Sequence, residues 1–221
     1  MPICHNRKVI FLHIPRCGGT SLEVSLGLIS PAKTNPRKIR PSSLYGTKQK
    51  PGGVLVLQHL TGQALRQAGL IDDKTWNAYF KFTVIRDPFA RMASDYCWQK
   101  RHDPHHEFRH LSFQEFLDRA EQVMQEARYF EKIHYEHFRP MVEYCFFEQQ
   151  LVVDDILLLE SLPGELKRIE SVTGPLILTK LNSSRNYSEL DTQINRDRVY
   201  RLYEADKSLH DQVSRLQKTG P

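Results

Sequence analysis

The sequence predicts an α/β domain built on a mostly parallel sheet with helices on both faces. Short, near-continuous apolar runs recur from Val9 to Ile14, Val54 to Leu57, Phe80 to Ile85 and Ile156 to Leu159. Their β-branched, unalternating character reads as strands buried on both faces. Segments with helical periodicity lie between and after them, the alternation expected of an α/β chain. At 221 residues, 40% hydrophobic and 26% charged, residues 1–221 fit one ordinary globular domain, and the composition argues against disorder.

In chain order, the first run ends at Pro15, and Thr20 or Ser21 is expected to cap a helix carrying Leu22, Leu26 and Ile29 and stopping before Pro31. From Pro31 to Gly53 come Pro31, Pro36, Pro41 and Pro51 with Lys33, Arg37, Lys38, Arg40, Lys48 and Lys50, and no acidic residue. Such proline density excludes a long helix or a central strand, so residues 31–53 read as a basic loop, either functional or simply solvated. The run at Val54 leads into Gln58-His59. The run at Phe80 precedes Arg86-Asp87-Pro88, where Asp87 as N-cap and Pro88 at the first helical position start a helix burying Phe89, Met92, Ala93 and Tyr96. Ser112 to Glu115 form a capping box ahead of Phe116, Leu117, Ala120, Met124 and Ala127. Asp154-Asp155 lead into the last run. An amphipathic helix carrying Val199, Leu202, Tyr203, Asp206, Leu209, Val213 and Leu216 closes the pattern.

Several function classes are disfavoured. No apolar run approaches the ~20 residues of a membrane span, and the polar start from Met1 to Lys8 argues against a signal peptide. Cys4, Cys17, Cys97 and Cys145 are scattered without a CxxC pair, against a disulfide framework or thiolate zinc site; a reducing cytoplasm is the natural setting. His102, His105, His106 and His110 cluster in RHDPHHEFRH, with His106 and His110 at i, i+4. Pro104 and the absence of HExxH make this a polar loop rather than a zinc site. A net charge of +5, from 31 Lys+Arg against 26 Asp+Glu, favours anionic partners, though no nucleic-acid partner is expected.

Two motifs carry chemistry. HIPRCGGTSLE, from His13 to Glu23, runs from a buried strand through a Gly-Gly turn into a helix with Thr20 and Ser21 in its first turn. Exposed N–H groups, the helix dipole, the Arg16 charge and two hydroxyls suit an anion there; the alternative is a turn that merely needs glycine. The spacing and lysine of a Walker A loop are missing. RDPFARMASDY, from Arg86 to Tyr96, also follows a strand and opens a helix. Arg86 stands at the strand's carboxyl end, where ligands bind in open α/β sheets. Ser94, about two turns on, is placed to share a phosphate with it. The bland alternative is an Arg86–Asp87 capping pair with Arg91 and Ser94 on the surface.

Together these motifs resemble the two nucleotide-binding motifs of the carbohydrate-type sulfotransferases, a family that uses 3′-phosphoadenosine-5′-phosphosulfate. The first is similar to its 5′-phosphosulfate loop, HIPKTGGTSL in many members, and the second to its 3′-phosphate motif, RDPxxRxxSxY. Glu136-His137-Phe138-Arg139-Pro140 with Glu143-Tyr144-Cys145 resembles the HWRPQxEYC stretch of Golgi members. Asp155-Ile156 through Glu160-Ser161-Leu162, and Leu181-Asn182-Ser183-Ser184, resemble the strand-and-turn and the closing loop that follow there.

The resemblance implies a three-layer, P-loop-nucleotide-binding-like sulfotransferase fold. It implies that Arg16, Cys17, Gly18, Gly19, Thr20 and Ser21 hold the 5′-phosphosulfate, Cys17 through its backbone N–H. Arg86 and Ser94 would hold the 3′-phosphate, and Asn182 and Ser184 would line the closing loop. His59 stands where several members place the catalytic base, with Glu23 and His137 as reserves. His137, Arg139 and the basic loop from Lys33 to Lys50 would face the acceptor, a glycan or other hydroxylated and preferably anionic substrate. No metal is implied. Family members of eukaryotes carry a membrane anchor, so the chain is expected to be a soluble enzyme or the soluble part of an anchored one. Arg16 stands in place of the family lysine and Cys17 in place of threonine. Arginine keeps its proton, so it serves as a charged fork rather than a proton donor. Two other readings share the strand–loop–helix geometry: a small-molecule kinase, and a noncatalytic nucleotide- or polyanion-binding protein.

Overall fold

The computed structural model describes residues 2–29, 47–102, 107–178 and 187–218. The chain opens with β1 (Ile3–Cys4) and β2 (Val9–Leu12) and turns into α1 (Gly19–Ser25). It resumes with β3 (Thr47–Lys50), β4 (Gly53–Val56) and a 3₁₀ turn over Leu57–His59. Two short helices, α2 (Gly62–Gln67) and α3 (Asp73–Ala78), lead to β5 (Phe80–Ile85) and the long α4 (Pro88–His102). Then come α5 (Phe113–Gln125), a 3₁₀ turn over Tyr135–Phe138, α6 (Val142–Cys145) and the small hairpin β6 (Phe146–Phe147) and β7 (Gln150–Leu151). β8 (Asp155–Leu158) passes through a 3₁₀ turn, Leu159–Ser161, into α7 (Leu162–Thr173); a further turn, Ser188–Leu190, precedes α8 (Gln193–Leu202) and α9 (Glu204–Lys218).

The central sheet has the order β1-β2-β5-β8. β2 pairs parallel with β5 (Phe11 beside Phe82), β5 parallel with β8 (Thr83 beside Ile156), and β1 adds an antiparallel edge. Three of the four expected strands therefore form the parallel core. The fourth departs from expectation: β4 pairs antiparallel with β3 in a separate hairpin. Pro51-Gly52 reverse the chain, Val54 donates its N–H to the Phe130 carbonyl, and Val54 and Leu55 are buried without joining the main sheet. A four-residue apolar run specifies burial, not the strand it pairs with. The same hairpin shortens the expected 31–53 loop, since Thr47–Lys50 is strand; residues 30–46 lie outside the described residues.

Asp87 caps α4 through Ala90 N–H at 2.9 Å, and Ser112 and Glu115 close a reciprocal box on α5. α1 differs from expectation, because its N-cap is Gly18 at φ 78° and neither Thr20 nor Ser21 caps it. The closing amphipathic pattern is two helices, interrupted at Tyr203. Asp206, expected only as one residue of that pattern, is fully buried and accepts the N–H groups of Met141 and Val142. One core surrounds the sheet, with Phe11, Phe82, Val84 and Leu157 meeting Leu22 of α1 and Leu166 of α7. A second, aromatic core lies among α4, α5 and α8, with Phe89, Phe116, Phe138, Val199 and Tyr203.

Candidate functional site

Parallel strands deliver their carboxyl ends to one side of a sheet, and ligands bind there. The segments following β2, β5 and β8 accordingly line one cavity of about 930 Å³, through His13, Pro15 and Arg16, then Arg86, then Leu159 and Glu160. The segment after β4 contributes Gln58 and His59, and the turn over Tyr135–Phe138 contributes Glu136 and His137.

The first corner is closely fitted. A Cβ on Gly19 would lie 2.1 Å from Cδ2 and Nε2 of His13, so only glycine lets the loop fold against that ring. Gly18, Gly19, Thr20 and Ser21 all line the cavity. Arg16 sits in the left-handed region at φ 65° and sends its guanidinium across to α4, donating from Nε and Nη2 to Ser94 Oγ at 3.3 and 3.2 Å. The same group lies over the Trp98 ring at 5.4 Å. Burial lowers the Arg16 pKa from the usual arginine value, as does Arg86, while Asp95 opposes the shift. Arg86 donates to the Arg16 carbonyl at 3.3 Å and the Tyr187 hydroxyl at 3.1 Å. The structure thus brings Arg16, Arg86 and Ser94 together around one end of the cavity, with Tyr187 beside them.

Cys17 does not take the expected place. Its N–H is spent on the Ile14 carbonyl at 3.3 Å, and its thiol, buried against Met141 Sδ at 3.8 Å, is pushed up to about 12 by burial. Asn182 and Ser184, like His105 and His106, lie outside the described residues. Arg139 is not among the described residues that line the cavity: its guanidinium pairs with Glu143 at 2.5 Å and covers the Tyr129 ring at 4.0 Å. The capping pair imagined for Arg86 and Asp87 does not form in the described contacts. Asp87 caps its own helix and accepts from the Tyr200 hydroxyl at 2.9 Å. Nor is Arg91 a surface residue. Fully buried, it donates to the carbonyls of Pro15, His137 and Arg139 and lies 3.7 Å from Asp206, joining the first loop to the 137–139 segment.

The other end of the cavity is a row of three imidazoles. The His59 ring stands edge-on to those of His13 and His137, at 4.9 and 5.1 Å between centroids. Each outer histidine is tied to a buried carboxylate: His13 Nδ1 to Glu23 at 2.5 Å, and His137 Nδ1 to Asp95 at 2.6 Å. Glu23 also accepts from Gln58 Nε2 at 3.0 Å on both oxygens. Asp95, which burial would push up, is held below the usual carboxylate range by His137 and Arg16. His59 Nδ1 faces Glu136 Oε1 at 3.2 Å, and its carbonyl accepts from the Tyr144 hydroxyl. Burial, with His13 and His137 beside it, holds His59 well below the usual histidine value, so the ring is neutral at pH 7. Burial also pushes Glu136 up to about 7.

Sequence reading missed Glu136, Trp98, Gln58 and Tyr187 as cavity residues. Glu136 adjoins the His137 that was singled out, but its inward aim depends on a 3₁₀ turn following His134 at φ 77°. Tyr187 carried no signal at all.

A model of the sulfotransferase family matches residues 1–213. Carbohydrate sulfotransferase 10 of Gallus gallus is 28% identical over 110 residues, a match that spans 49% of this chain and 28% of the relative's length. No solved structure matches.

Proposed function

The chain belongs to the sulfotransferase family, and from that premise we propose that it moves the sulfuryl group of 3′-phosphoadenosine-5′-phosphosulfate to an acceptor hydroxyl on a glycan. The observation that carries the reading is the convergence of the two anion-type corners and the neutral His59 on one cavity. The finer fold implied, a three-layer P-loop-like arrangement, belongs to the same proposal.

Arg86, Ser94 and the Tyr187 hydroxyl receive the 3′-phosphate, and Gly18 to Ser21 with Arg16 receive the 5′-phosphosulfate. Asn182 and Ser184 belong to the loop that closes over the donor. His59 Nδ1 faces Glu136 Oε1 at 3.2 Å; with the ring proton on Nδ1, Nε2 is the basic nitrogen. As the acceptor oxygen attacks sulfur, its proton passes to His59 Nε2, the new O–S bond forms, and the bond from sulfur to the 5′-phosphate oxygen breaks. The leaving group is 3′-phosphoadenosine-5′-phosphate, whose charge Arg16 and the loop N–H groups stabilise. Arg16 cannot protonate it, and a phosphate leaving group needs charge more than a proton. Catalysis is then positioning and electrostatics, as in phosphoryl transfer.

The acceptor assignment rests on the name of the relative and on charge. Lys48 and Lys50 are exposed on β3, opposite Leu55 and Gly53 of β4, the strand that runs directly into the turn ending in His59. Such a basic strand suits an acidic or already sulfated glycan. A small-molecule kinase is disfavoured because no lysine is among the described residues that line the cavity.

Thermal melting tests the reading. At 100 times its Kd, 3′-phosphoadenosine-5′-phosphate should add about 2.7 kcal/mol of stability. ATP should add less. Stabilisation by ATP alone would favour the kinase. Donor binding without label transfer to any member of a panel of neutral, acidic and sulfated glycans would favour the noncatalytic binder.

A further inference from the structure

We propose that His59, Glu136 and His137 form a three-ligand site for a divalent transition metal of the zinc class. Each offers one ligand atom, and the three atoms lie within 4.8 Å of one another. Glu136 Oε1 is 3.2 Å from His59 Nδ1 and 3.8 Å from His137 Nε2. Tetrahedral zinc with bonds of about 2.0–2.2 Å sets its ligand atoms roughly 3.3–3.6 Å apart, so both pairs need move only by tenths of an ångström.

The surroundings fit the same role. His137 gives Nδ1 to Asp95 at 2.6 Å, which turns Nε2 toward Glu136, and Gln99 in turn holds Asp95 at 3.0 Å. A carboxylate behind a histidine is the usual outer support of a metal-bound imidazole. Glu136 Oε2 is buried and has no hydrogen-bond partner, an acceptor that a cation would satisfy. Glu136 and Asp95 together balance the two charges of the ion. All three ligand residues line the cavity. Two imidazoles and one carboxylate favour Zn²⁺, Co²⁺ or Cu²⁺ over Mg²⁺ or Ca²⁺, which prefer all-oxygen sites.

The consequence for transfer rests on the reading of His59 as base. Coordination through Nδ1 leaves the ring proton on Nε2, and the ring then accepts no proton there. Metal binding and base catalysis exclude each other, so the ion acts as a reversible brake.

Cobalt titrated into the full chain tests the site directly, because its visible ligand-field bands report coordination without any assay of activity. The expected result is saturable binding with four- or five-coordinate bands, displaced by Zn²⁺. Glu136→Gln and His137→Ala should each weaken binding at least roughly tenfold, and Asp95→Asn by about 10–100-fold. His110→Ala, on an exposed segment, should leave it unchanged. X-ray absorption of the zinc-loaded, unmutated chain should show two imidazoles and a carboxylate. A thiolate or all-oxygen shell, absence of binding, or binding indifferent to Glu136→Gln and His137→Ala would overturn the site. Bound zinc that leaves single-turnover transfer unchanged would instead overturn His59 as the base, with the site standing.

Discussion

The two ends of the cavity are built in different ways. The donor end consists of two strand-to-helix corners, each continuous in sequence, His13 to Glu23 and Arg86 to Tyr96. The histidine end shares His13, Glu23 and Asp95 with those corners and completes itself with His59 and the Glu136-His137 pair, brought in from two other places in the chain. The first is local geometry repeated; the second exists only once the chain has folded. An anion site can be made from backbone and one or two charges, whereas a tuned base needs partners brought in from elsewhere.

The sharpest way to break this division is His59→Ala. Donor binding should stay nearly intact while single-turnover transfer falls by ~10²–10⁴-fold, the usual contribution of a positioned base. Full transfer by the variant would move the base to another group. Arg91 is next, since it ties the first loop to the 137–139 segment. Arg91→Met should cost ~3–5 kcal/mol in denaturant unfolding, because it leaves Asp206 buried without its cation. A loss within the range of a surface substitution would show that the two ends are not mechanically joined there.

Gly19→Ala probes a point where the donor loop packs directly against the histidine row. Its new methyl must displace the His13 ring, at an expected cost of about 1–3 kcal/mol in stability. An unchanged melting temperature would show that the fit is loose.

How legible each end was follows from the same contrast. Arg86 and Ser94 could be placed from a strand followed by Asp-Pro and a helical spacing, because those signals are local. Gly18 and Gly19 were legible as a turn, but the cap was wrongly given to Thr20 or Ser21, since a left-handed Gly18 does that work. Cys17 and Arg139 stand in motif positions yet face inward or sideways. A motif fixes where the backbone runs, not which side chains face the cavity. β4 was recognised as a buried strand but misplaced in the main sheet, because apolar content does not name a hydrogen-bonding partner. Glu136 stood in a motif without a role and Tyr187 in none; one is aimed by a turn and the other by packing of Phe89 against its ring.

The smallest expected effect lies on the donor side. His210 of α9 is 3.5 Å from Glu160, whose other oxygen accepts the Asp87 N–H beside Arg86. Burial pulls His210 down, but its ion pair with Glu160 and the other charges around it leave it raised above 6.5. Its contribution to stability is whole below pH 6.5 and fades as pH rises through that raised value. The melting-temperature gap between the unmutated chain and His210→Gln should therefore be wider at about pH 5.5 than at about pH 8.5. An equal gap at both would mean that the pair does not titrate with folding.

Calorimetric titration of the unmutated chain and of Arg86→Ala with 3′-phosphoadenosine-5′-phosphate and with adenosine-5′-phosphate tests most directly that the paired corners are a donor site. The unmutated chain should prefer the 3′-phosphorylated nucleotide. Removing the Arg86 contact, worth ~1.5–3 kcal/mol, should cut its affinity by roughly ten- to a hundredfold and abolish the preference. Equal binding of the two nucleotides by the unmutated chain, or a preference undiminished in Arg86→Ala, would contradict the assignment.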